Sequence, residues 1–156
     1  RSIPDSVEFG GTIRTFDETT RDSIRTKFTR LITTMAEANG AKADITFDRG
    51  TPVTYNDPAL TEKMAPSLRR ALGAGQVEVG RQTTTSEDYS LYQKKVPGVF
   101  YFLGVAPKGA DLSKQPANHS PLFFADEGAL PVGVRSLANL AVDYLKSGGL
   151  KPGSVQ

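Results

Sequence analysis

The sequence predicts an α/β chain built in two zones, and three patterns carry that prediction. Ala43, Ile45 and Phe47 alternate with Asp44, Thr46 and Asp48, the period of a half-buried strand. Ile24, Phe28, Leu31, Ile32 and Met35 recur at helical spacing and form one apolar stripe. Residues 99–105 are an almost unbroken apolar run, which suits a strand covered on both faces. Residues 1–52 therefore read as α+β with an open-faced sheet, and residues 53–149 as α/β with a buried strand. Residues 150–156 read as a disordered tail.

The elements follow in order. Residues 7–16 are rich in β-branched and aromatic side chains, so they predict a strand, with a bulge or close backbone approach at Gly10-Gly11. Thr15, Asp17 and Glu18 supply helix-start signals ahead of the stripe that begins at Ile24. Gly40 predicts the left-handed residue that ends this helix. After the strand at 43–47, the turn-rich run 50–58 marks a crossing into the second zone. Residues 59–72 predict a helix kinked at Pro66, and residues 77–79 a short strand. Ser86-Glu87-Asp88 predicts a helix start, with a serine cap and first-turn acids, running to about Lys95. Residues 107–116 read as a loop. Leu130, Val134, Leu137, Leu140, Ala141, Tyr144 and Leu145 predict a terminal amphipathic helix with Pro131 near its start and Gly148-Gly149 at its end.

Composition narrows the function. The 156 residues are 38% hydrophobic and 23% charged, which is ordinary for one domain or two small ones. A formal charge of +2 without a basic stripe argues against nucleic acid. No apolar run is long enough to span a bilayer. The absence of cysteine excludes disulfides and thiolate-ligated metals. Arg1-Ser2-Ile3-Pro4 reads as the interior of a longer sequence, so the compartment stays open.

Few residues offer chemistry. His119, the one histidine, stands in the polar run Ala117-Asn118-His119-Ser120-Pro121. An imidazole is a common metal ligand, but alone it cannot make a site, and a solvated loop histidine is the plainer reading. Ser86 and Glu87 could position a substrate at a helix start, or could only cap it. Arg14 could hold a carboxylate through its guanidinium fork, or could sit solvated on an open sheet face. Asp17, Glu18 and the pair Asp126-Glu127 read as helix-start acids. There is no glycine-rich phosphate loop, paired-histidine zinc motif or nucleophile elbow.

Taken in order and spacing, several runs resemble the aminoacylase/hippurate hydrolase/carboxypeptidase G family of di-zinc amidohydrolases. They are Ile3-Pro4-Asp5, residues 11–16, Asn56-Asp57-Pro58, residues 85–89, Val96-Pro97-Gly98, residues 100–104, His119-Ser120-Pro121 and Asp126-Glu127. The likeness extends from Ile3 to about Leu145. It implies a zinc-exopeptidase-like architecture, in which a mixed α/β catalytic domain carries an inserted βαββαβ lid. Residues 1–52 would then be the second half of the lid and dimerisation domain, and residues 53–149 the C-terminal part of the catalytic domain. It also implies two divalent metal ions, most commonly zinc, with His119 the one ligand supplied by this chain. Arg14 would hold the substrate carboxylate, and Ser86, Glu87 and Asn118 would line the substrate cleft. Arg1 departs from the pattern, since the family usually has asparagine there.

The resulting expectation is the rear part of a metal-dependent amidohydrolase that cleaves N-acyl amino acids or small peptides. Its general base would lie upstream, and it would be inactive without the N-terminal part of the same enzyme. A homodimer through the lid is the expected assembly, with no nucleic-acid or membrane partner. The competing expectation is a non-catalytic dimerisation or binding module derived from the same family.

Overall fold

The computed structural model describes residues 3–48 and 50–149. Arg1 and the tail at 150–156 lie outside them. By contacts the chain falls into two units. One takes in the chain up to Thr54 together with Gln82–Lys94, and the other takes in Tyr55–Arg81 together with the chain from Lys95 onward.

The first unit is organised by α1 (Glu18–Ala38). Asp17 caps it, accepting from the Thr20 N–H at 2.6 Å. That backbone bond comes first among the causes that hold the Asp17 carboxyl below its ordinary range. At the other end the Gly40 N–H donates to the Glu37 carbonyl and the Ala41 N–H to the Ala36 carbonyl, the two bonds of a Schellman turn. Gly40 takes the left-handed φ of 71° that this turn requires. The apolar stripe of α1 meets the segment at 43–48, where Phe28 and Phe47 stand edge to face at 6.1 Å. Arg25 lies 5.2 Å from the Phe47 ring and donates to the Asp48 carbonyl at 3.0 Å. One turn earlier, Arg21 donates to the Thr51 carbonyl at 3.2 Å. A short helix, α3 (Tyr89–Gln93), completes the unit.

The second unit is built on two helices, α2 (Pro58–Leu72) and α4 (Ala129–Lys146), which pack against each other. Asp57 caps α2 through the Leu60 N–H at 2.7 Å, and Pro58 suits the first position because no N–H is needed there. Leu60, Met64 and Leu68 recur every fourth residue and are the buried apolar residues among those described. Each contributes about 1.5–3 kcal/mol by leaving water. α2 runs unbroken through Pro66. On α4 the fully buried Ser136 hydroxyl shares a hydrogen bond of 2.8 Å with Tyr101 and donates to the Gly133 carbonyl. A side chain at Gly133 would come within 3.1 Å of Leu103, so glycine there admits segment 99–105 close to the helix. Arg70 pairs with Asp143 across the two helices.

The α/β prediction does not hold. Four α-helices and two single turns of 3-10 helix (Ala74–Gln76 and Leu112–Lys114) are present, and there is no strand or sheet among the described residues. Neither the zinc-exopeptidase-like sheet nor half of a βαββαβ lid is therefore seen. The segments read as strands at 7–16, 43–47, 77–79 and 99–105 carry no strand assignment. Alternation and β-branching report only that side chains would suit a sheet. A strand also needs a neighbouring backbone to take its N–H and C=O groups. At Phe100 a side chain does this instead: Asn56 accepts from its N–H at 2.7 Å and donates to its carbonyl at 2.8 Å. The run 99–105 is not covered on both faces either, since Phe102 is 68% exposed. The helix expected from Ser86 to about Lys95 shortens to Tyr89–Gln93, and the expected serine cap is not made, because the Ser86 hydroxyl bonds Thr51 instead.

Candidate functional site

Arg14 lies in the extended segment before α1, and its Nη1 donates to the Thr84 carbonyl at 3.1 Å. This bond spans seventy residues of sequence and brings the guanidinium to the segment that carries Ser86 and Glu87. The side chain is exposed, so the rest of the fork faces solvent in the same unit. Ser86 is also exposed, and its Oγ shares a hydrogen bond of 2.6 Å with Thr51 Oγ1. It does not cap α3. Glu87 is half-buried, and its carbonyl accepts from the Ser90 N–H at 3.1 Å and from the Ser90 hydroxyl at 2.6 Å. Ser90 is buried, so the turn that displays Glu87 is anchored from below.

Lys94 follows α3, and its Nζ meets Glu18 Oε1 at 2.7 Å. The Lys94 hydrogen bond, then its charge, holds the Glu18 carboxyl below its ordinary range. The first unit therefore gathers Arg14, Ser86 and Glu87, three of the residues singled out by the sequence. Sequence reasoning passed over Thr51 and Thr84, which hold them. Nothing local marks these threonines, because the contacts join residues 35 and 70 positions apart.

The second unit carries Asn118 and His119. Both are exposed on a turn closed by the Ser120 N–H bonding to the Ala117 carbonyl at 2.8 Å. The same turn continues through Phe123 N–H to the Ser120 carbonyl, and Ser120 Oγ accepts from Leu122 N–H at 3.1 Å. The Asp126 carboxylate accepts from Gly128 N–H at 2.9 Å, beside the start of α4. Among the described residues no group of three or more His, Asp or Glu could hold a metal ion. The described residues do not by themselves fit a metal site, and His119 offers a single imidazole.

Comparison with known proteins sets these residues in context. The IAA-amino acid hydrolase ILR1-like 4 of Arabidopsis thaliana is 33% identical over 147 residues, covering 92% of this chain and 33% of its own length. N-acetylcysteine deacetylase of Bacillus subtilis is 32% identical over 145 residues, or 93% of this chain and 36% of its own length. Thermostable carboxypeptidase 2 of Saccharolobus solfataricus is 30% identical over 145 residues, or 91% and 35%. The chain thus spans about a third of the length of these relatives. No solved structure matches it. The model of peptidase family M20/M25/M40 matches residues 4–143, nearly the whole sequence, and the chain belongs to that family.

Proposed function

We propose that this chain is part of a metal-dependent amidohydrolase that cleaves the amide bond of N-acyl amino acids or small peptides. The observation that carries the reading is Arg14, an exposed guanidinium set beside the segment of Ser86 and Glu87. An N-acyl amino acid presents one carboxylate and one amide. A guanidinium binds the carboxylate through paired, charge-assisted hydrogen bonds. The Ser86 hydroxyl and the Glu87 carboxylate supply polar contacts to the remainder of the substrate. The other unit, taken by itself, exposes the Asn118 amide and the His119 imidazole, the second a candidate metal ligand. Relatives named for acyl-amino acid and peptide cleavage support this substrate class.

A single imidazole does not hold a catalytic ion, which takes about three protein ligands. The remaining ligands and the general base are therefore proposed to come from residues outside this chain. The chain alone is expected to hydrolyse nothing.

The test is a panel of N-acetyl amino acids, each with its carboxylate free or amidated, given to a protein that contains this chain and the rest of a full-length relative's sequence. Arg14→Ala is expected to raise KM for the free acids by about 10–100-fold, the range of a charge-assisted bond, and to leave the amidated series unchanged. An unchanged KM for the free acids removes Arg14 from the substrate. Absence of cleavage across the panel overturns the amidohydrolase reading. The family-derived binding module is then the better account.

A further inference from the structure

Three contacts clasp residues 82–94 to the unit built on α1. Arg14 holds the Thr84 carbonyl at 3.1 Å, Thr51 holds the Ser86 hydroxyl at 2.6 Å, and Glu18 holds Lys94 at 2.7 Å. Thr51 is itself fixed, because its carbonyl accepts from Arg21 of α1 at 3.2 Å. A chain of two hydrogen bonds therefore runs from α1 through Thr51 to Ser86.

We propose that Thr51 is the positioning residue for Ser86 and Glu87. Its hydroxyl engages the Ser86 side chain, which stands two residues before the Asp88 N-cap of α3 and makes no capping bond to that helix. It fixes the segment two residues beyond the point where Arg14 grips it. The spacing between guanidinium, serine hydroxyl and Glu87 is then set by two bonds rather than by a flexible loop. Pinning the segment at Thr84 and again at Ser86 lowers the ordering cost that a ligand would otherwise meet on binding. The positioning rests on geometry alone, and its consequence for a substrate rests on the amidohydrolase reading above.

Valine is close to threonine in shape and lacks the hydroxyl, whereas serine keeps it. Thr51→Ala removes the same bond without the branch and serves where valine disturbs folding. Two readouts are taken together. Hydrogen exchange of residues 84–90 is followed in this chain, and KM and kcat are measured for N-acetyl amino acids in the active protein. Thr51→Val is expected to speed exchange in that segment by about tenfold, the size of one net hydrogen bond. It is also expected to raise KM by a similar factor with little change in kcat, and Thr51→Ser is expected to restore both. Unchanged exchange in both Thr51→Val and Thr51→Ala overturns the proposal. So does faster exchange with KM unaltered in an active protein. Faster exchange rescued by serine, in a protein that cleaves no N-acyl amino acid, supports the positioning and sinks the amidohydrolase reading alone.

Discussion

Glu18 does two things from one position. It stands in the first turn of α1, where a carboxylate faces the positive end of the helix, and it reaches Lys94 at 2.7 Å. The second contact holds its carboxyl below the ordinary glutamate range, so the folded state binds its proton less readily than the unfolded state. The stability from this pair is fully present above the unfolded pKa, about 4.3, and is lost as pH falls through the lower folded value. Lys94→Met is therefore expected to destabilise the chain slightly near neutral pH and to make no difference in strong acid, as followed by denaturant unfolding across that range. Both partners are substantially exposed, so added salt should shrink the effect. A Lys94→Met penalty that persists in strong acid would show that lysine packing, not the ion pair, carries it. Glu18 was legible as a helix-start acid because that role is local. Its partner was not, because 76 residues separate them.

The helix ends show which elements a sequence declares. Asp17 was legible as a helix-start residue, since a cap bonds an N–H only three residues away, whereas Asp57, which caps α2 in the same way, stood in a run read only as a turn-rich crossing. Gly40 ends α1 for a similarly local reason, and at φ 71° a side chain there is strained. A Cβ at this position would meet nothing within 4 Å, so the whole cost is conformational. Gly40→Ala is accordingly expected to lower stability by about 1 kcal/mol, read as a shifted midpoint with unchanged denaturant slope. A neutral substitution would mean that α1 does not depend on its Schellman turn. The extended segments were misread for the opposite reason. Residues 43–47 and 99–105 have the side chains of strands, but a ladder needs a second backbone at the right distance. The sequence of one segment says nothing about whether that neighbour exists.

At the scale of the molecule, α4 presents an exposed apolar stripe. Leu130, Val134, Leu137 and Leu145 are each more than 60% exposed and follow one helical stripe, broken only by Ala141 between the last two. The same helix buries Ser136 and packs against α2, so it is apolar on more than the face it uses. Contiguous apolar surface of this kind drives association. The chain in isolation is expected to be oligomeric or to aggregate in light scattering. Replacing Val134 and Leu137 with lysine should restore a monomer, whereas a monodisperse monomer before substitution would show that the stripe is tolerated in water. No helix among the described residues is long and apolar enough to cross a membrane. Local pattern was enough to place the long helices α1, α2 and α4, the helix-start role of Asp17 and the family, because helical periodicity, start signals and ordered short motifs are encoded within a few residues of one another. It also singled out Arg14, Ser86 and Glu87 by residue type. Only the tertiary structure decided that these three share a unit, that Thr84 and Thr51 hold them, and that the strand-like segments go without partners. Each of those facts depends on residues distant in sequence meeting in space, and no local pattern records such a meeting.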